Sequence, residues 1–137
     1  MIQLDLLNVG IVDDTDAILL VMRSRALHKL LVIETGLLEG QAVALEVSGI
    51  RAERPLTQDL LHDVILTLGA TIREVRIDAF RDQTFFAKLI LSRLDGGVQT
   101  LEVDARPSDA IAVAVTCDPR LPIYVAEEVL EDVTGQP

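Results

Sequence analysis

Between Thr71 and Asp104 strand-length aliphatic segments alternate with turn residues, and this pattern restricts the fold more than any other feature. Thr71–Phe80 and Thr84–Arg93 flank Arg81-Asp82-Gln83, and Asp95-Gly96-Gly97 leads into Val98–Asp104. Turn residues at that spacing predict three consecutive antiparallel strands, the first two joined as a hairpin. Ile2–Val12, Ala17–Met22 and Lys29–Glu34 predict a second antiparallel meander at the N-terminus, with Asp13-Asp14-Thr15-Asp16 as a turn.

Helical periodicity fills the intervals. Gly36 ends the third strand pattern, and Leu38, Ala42, Val43 and Leu45 recur at helical spacing through Ser48, where Gly49 stops the run. Thr57 suits the N-cap of a second helix, with Leu60, Leu61, Val64, Ile65 and Leu68 as its apolar stripe and Gly69 at its end. Pro107 opens a third helix to about Thr116, closed by Asp118-Pro119. Pro122–Val125 reads as a short last strand and Ala126–Asp132 as a helical turn. The expected fold is α+β: a mainly antiparallel or mixed sheet with about three helices packed on it. The expected single domain covers 1–133, with 134–137 as a frayed tail.

Half of the 137 residues are hydrophobic, enough for a core without staples. Cys117 is the only cysteine, so no intrachain disulfide forms and a reducing compartment is implied. At a helix end it reads as a small apolar residue. No segment has a signal-peptide pattern, and the longest apolar runs are too short for a bilayer. Cytoplasm follows by exclusion. The net charge of -10 opposes broad contact with nucleic acid, so any such contact is local or bridged by metal ions. With few aromatics and no tryptophan, stacking platforms for single strands are not expected. Abundant small aliphatics on so short a chain point to a homodimer or higher homo-oligomer.

Ile33-Glu34, Glu39 and Ala42-Val43-Ala44 match Val103-Asp104, Asp109 and Ala112-Val113-Ala114 at a constant offset of 70. Internal duplication and two ordinary strand-to-helix junctions both fit this echo.

Two segments place arginine, proline, a hydroxyl and aspartate at a helix start. They are Arg54-Pro55-Leu56-Thr57-Gln58-Asp59 and Asp104-Ala105-Arg106-Pro107-Ser108-Asp109. A helix start offers free N–H groups and a positive dipole end, and arginine adds a bidentate oxyanion donor. Phosphate suits that combination. The carboxylates suit Mg²⁺ or Mn²⁺, which would polarise a phosphodiester. A structural reading stands beside it: Thr57 and Ser108 cap helices, while Asp59 and Asp109 offset the dipole and pair with Arg54 and Arg106. Asp59, His62 and Asp63 share a helix face that is either metal-binding or merely solvated. No P-loop, dinucleotide fingerprint, zinc-protease motif or nucleophile elbow is present.

Taken in order, Glu39-Gly40-Gln41-Ala42-Val43, Arg54-Pro55-Leu56-Thr57-Gln58-Asp59-Leu60-Leu61, Thr84-Phe85-Phe86-Ala87, Asp104-Ala105-Arg106-Pro107-Ser108-Asp109-Ala110-Ile111-Ala112 and Pro122-Ile123-Tyr124-Val125 resemble the bifunctional nuclease domain family of bacteria and plants. The resemblance runs from about Met1 to Leu130. It implies cleavage of RNA and DNA, a compact α+β fold and a dimer. The family's second segment usually carries histidine where this chain has Gln58, which cannot serve as a general base.

The leading expectation is a metal-dependent nuclease. Asp59, Arg54, Asp104, Arg106 and Asp109 are its expected catalytic residues, and Thr57, Gln58 and Ser108 contact substrate. Glu39, Asp59, Asp104 and Asp109 are the expected ligands of Mg²⁺ or Mn²⁺. The rivals are a non-catalytic binding or regulatory dimer with a structural Arg–Asp network, and a small phosphoesterase.

Overall fold

The computed structural model describes residues 1–12, 16–94 and 97–134. Most of the expected turns at 13–16 and 95–97, and all of the expected tail at 134–137 but Thr134, which ends the last helix, lie outside the described residues. Strands β1 (Ile2–Ile11), β2 (Ala17–Ser24) and β3 (Leu30–Gly36) precede α1 (Leu37–Val47) and α2 (Thr57–Thr67). Then come β4 (Ala70–Arg81), β5 (Thr84–Leu94), β6 (Val98–Ala105), α3 (Pro107–Thr116), β7 (Ile123–Val125) and α4 (Glu127–Thr134). The fold is α+β with a mixed sheet. The described residues form four helices rather than about three, because the expected turn at Ala126–Asp132 is a helix with Val129 and Leu130 buried.

The sheet order is β3-β2-β1-β7-β4-β5-β6. Each meander is antiparallel, as the turn spacing predicts. β7 joins them, antiparallel to β1 and parallel to β4. The echo extends to whole elements: α1 and α3 begin 70 residues apart, as do α2 and α4. The partner of β7 in the first half is Glu53-Arg54-Pro55, which is a loop. A central slot between two related meanders holds one strand, and Pro55 has no N–H for a ladder.

Alternation along the strands builds the core. Leu31, Ile33 and Thr35 of β3 are buried while Leu30, Val32 and Glu34 are exposed. Ala87, Leu89 and Leu91 of β5 turn inward. α3 lies deepest, with Ile111, Val113 and Ala114 almost fully enclosed. α1 packs on α3, and Gly40 brings it close against β2 and β3. A Cβ there would sit 2.6 Å from Ile18 Cβ and 2.7 Å from Thr35 Oγ1. Gly40→Ala is therefore expected to cost about 1–3 kcal/mol, seen as a lower urea midpoint. An unchanged midpoint would refute the close packing.

Two local expectations are corrected. The β4–β5 loop is two residues, not three: Asp82 (φ 51) and Gln83 (φ 61) form the left-handed turn that matches strand twist, and Arg81 pairs with Thr84 inside the ladder. The N-cap of α2 is Leu56, and Thr57 is its first helical residue. Asp59 Oδ2 accepts the Leu56 N–H at 2.8 Å, so the first-turn carboxylate satisfies the cap that the threonine was expected to satisfy.

Candidate functional site

An open groove of about 920 Å³ lies among α1, α2, α3, β5 and β6. Its aliphatic walls include Leu45, Leu61, Ile65, Leu89, Leu91 and Val103. Glu39, Thr57, Gln58, Arg106 and Asp109 meet around it. Residues from both helix-opening segments are thus brought together.

Arg106 is the N-cap residue of α3 and has extended backbone, which points its side chain across the helix start. Its Nε donates to Asp109 Oδ2 at 2.8 Å and its Nη2 to Asp109 Oδ1 at 3.2 Å, a bidentate pair one turn apart. Its Nη1 donates to Glu39 Oε1 at 3.3 Å on the first turn of α1. The carboxylate of Asp109, and then that of Glu39, raises the Arg106 pKa above its ordinary value. The cluster is open to solvent: the Arg106 side chain is 64% exposed. Arginine and both acids are paired but not sealed. Glu39 folds back over Gly36, where a Cβ would collide with its carboxylate, so only glycine leaves it that position.

Gln58 is the only buried residue of α2, at 7% exposure. Its Nε2 is enclosed without a hydrogen-bond partner. The expected apolar stripe of α2 is largely uncovered instead, with Leu60 58% and Leu68 69% exposed. Spacing reports that a face is apolar, not that something packs on it. Leu61 and Ile65 of that stripe line the groove.

A second hollow of about 320 Å³, more polar than the groove, adjoins it, and Glu39 and Arg106 belong to both. It lies where α1 and α3 begin, with Thr35, Gly36, Thr84, Phe85, Pro107 and Ser108 around it. Ser108 is 7% exposed.

Other expected site residues lie elsewhere. Arg54 and Asp59 border a separate hollow of about 270 Å³ with Glu46, Arg51 and Asp63. Asp104 touches the groove's edge, but alternation with the half-buried Ala105 turns its side chain to the opposite sheet face. There it stands directly across the ladder from Lys88. Lys88 Nζ bonds Asp78 Oδ2 at 2.9 Å and approaches Glu102 Oε2 at 3.8 Å. Asp78 chiefly, then Glu102 and Asp104, raise the Lys88 pKa. His62 Nδ1 lies 3.7 Å from Asp63 Oδ1. Among the described residues, no three His, Cys, Asp or Glu side chains gather as a metal group.

Cys117 is the C-cap of α3, and its Sγ donates to Val113 O at 3.4 Å. Burial pushes its thiol pKa up. The folded value then exceeds the unfolded one, so the stability gained by keeping the thiol neutral is lost as pH rises through the folded value. Iodoacetamide at pH 8 is expected to label the folded chain about tenfold or more slowly than the urea-unfolded chain. Equal rates would refute this. The thiol is not an activated nucleophile.

The bifunctional nuclease domain model matches residues 18–136. An uncharacterized protein of Mycobacterium tuberculosis is 41% identical over 111 residues, covering 81% of this chain and 63% of that protein. Bifunctional nuclease 1 of Arabidopsis thaliana is 30% identical over 79 residues, covering 58% of this chain and 24% of that protein. Bifunctional nuclease 2 of the same plant is 32% identical over 79 residues. The chain spans 63% of the mycobacterial relative and about a quarter of the plant ones. No described helix is long and apolar enough to cross a membrane. On a match that covers most of its length, the chain belongs to the bifunctional nuclease domain family.

Proposed function

We propose that this domain hydrolyses phosphodiester bonds of RNA and DNA at the Arg106 cluster. The observation that carries this reading is the open bidentate pair of Arg106 and Asp109, bridged to Glu39 beside a groove. A guanidinium has five N–H donors, and three are engaged here, which leaves two for a phosphate oxygen. Arg106 then stabilises the charge that develops on phosphorus. Asp109 fixes the orientation of Arg106 through both of its oxygens, and Glu39, of which Arg106 engages one oxygen, takes the proton of the attacking water with the other; the new P–O bond forms, and the leaving oxygen departs and is protonated by solvent.

Mg²⁺ or Mn²⁺ fits the geometry poorly. Such ions take about six oxygens in all, and the two carboxylates that converge, Glu39 and Asp109, are both engaged by Arg106. No step is therefore routed through a metal. The test is cleavage of single-stranded RNA and DNA with Mg²⁺, with Mn²⁺ and with chelator, comparing wild type, Arg106→Ala and Asp109→Ala. Activity that falls in both variants supports the reading. Equal activity in all three indicates a contaminant and removes it.

The exposed leucines of α2 favour a second reading, a non-catalytic binding module that associates with another copy of itself. A dimer with no cleavage under any of these conditions would favour it.

A further inference from the structure

We infer that the groove and its neighbouring hollow together hold one nucleoside monophosphate unit, base in the groove and phosphate in the hollow. This rests on the phosphodiesterase reading and names the substrate unit of that same site.

Three observations converge. First, the two cavities share a wall, because Glu39 and Arg106 belong to both. A ligand crossing that wall must be amphipathic, with an apolar body on one side and a polar head on the other. A nucleotide has that build.

Second, the groove offers aliphatic walls with one unmade hydrogen bond. Leu61, Ile65, Leu89 and Leu91 supply apolar contact, while Gln58 Nε2 is buried with no acceptor. Buried donors are nearly always satisfied in a working state. A flat heterocycle bearing a carbonyl fits both features: its faces meet the aliphatic walls, and its oxygen accepts from Gln58 once that enclosed amide turns toward the groove.

Third, the hollow is built for an oxyanion. α3 opens there with no side-chain cap. The Ser108 main-chain N–H therefore has no partner within the helix. Ser108 is 7% exposed, and its hydroxyl makes no hydrogen bond among the described residues. The neighbouring hydroxyls are engaged: Thr35 Oγ1 donates to Gly36 O at 3.0 Å and Thr84 Oγ1 to Asp82 O at 3.3 Å. Ser108 is thus a free donor beside Arg106 at the positive end of a helix.

Charge sets the size of the ligand. Glu39 and Asp109 offset much of the field of Arg106, and the chain carries a net charge of -10. One phosphate held by directed hydrogen bonds tolerates that field. A run of phosphates laid across the surface is repelled, so an RNA or DNA strand is gripped through about one unit only.

The test is calorimetric titration of the full chain at low salt with uridine 5′-monophosphate, uridine and inorganic phosphate. The nucleotide is expected to bind about tenfold or more tightly than either part. Gln58→Leu is expected to weaken nucleotide and uridine by about tenfold and to leave phosphate unchanged. Ser108→Ala is expected to weaken nucleotide and phosphate and to leave uridine unchanged. If Gln58→Leu does not fold, Gln58→Met makes the same comparison. No nucleotide binding at about 1 mM, or equal losses for all three ligands in both variants, overturns the inference. Cleavage that depends on Arg106 without nucleotide binding overturns the inference and leaves the phosphodiesterase reading standing. Nucleotide binding with this variant pattern, but without cleavage, supports the inference and overturns that reading.

Discussion

Arg106→Ala is expected to lower the rate of phosphodiester cleavage by about 10²–10³-fold, the usual loss when one preorganised donor to a developing oxyanion is removed. The expectation rests on a donor set held in place by Asp109 at 2.8 and 3.2 Å and by Glu39 at 3.3 Å. Arg106→Lys keeps a positive charge but loses the planar fork, and it is expected to recover only a small part of the rate. The melting temperature separates chemistry from architecture. Exposed ion pairs contribute little to stability, so Arg106→Ala should melt close to wild type while losing its rate. A variant that keeps full cleavage, or one that loses cleavage only because it unfolds, would sink the assignment.

In the absence of ligand, Gln58→Leu is expected to stabilise the fold by about 1–3 kcal/mol, opposite in sign to most substitutions of a buried residue. The usual penalty comes from lost contacts, and leucine retains most of the volume. What it removes is an enclosed amide N–H with no acceptor, whose desolvation is uncompensated. For a chain of this length each kcal/mol corresponds to roughly 3–5 °C in melting temperature. Gln58→Asn keeps the amide and shortens the side chain, so it should not share the gain. Saturating nucleotide should narrow the difference, since wild type then gains an acceptor for Gln58. If Gln58→Leu melts below wild type without ligand, Gln58 has a structural partner and is not a vacant donor.

Much of the fold was legible because its signals are local. Turn residues between aliphatic runs marked both meanders, and Pro107 with Asp118-Pro119 bounded α3 to within a residue. The two-residue turn at Asp82-Gln83 was less visible, because glutamine gives no strong hint of left-handed backbone. The site was legible only in part. Arg106 and Asp109 are three apart on one helix, so their pairing follows from spacing. The link from Arg106 to Glu39 spans 67 residues and depends on how α1 meets α3, which no local pattern encodes. The repeated strand–acid–helix pattern was the one available hint, since it placed Glu39 and Asp109 at equivalent positions. Asp104 shows the converse: its neighbours suggested a shared site, but one step along a strand reverses the face a side chain points to. Gln58 was visible as a departure from the family pattern, yet its burial in an otherwise exposed helix was not.

The position of β7 has a consequence for how the polypeptide holds together. This three-residue strand is the only described strand that hydrogen-bonds to both meanders, so it acts as a clasp between two leaves of one sheet. A chain shortened before Pro122 would uncover the main-chain donors and acceptors of β1 and β4 along one seam. Two such chains could then close each other's seam, and a segment that ordinarily seals the monomer would become a route to exchange between copies.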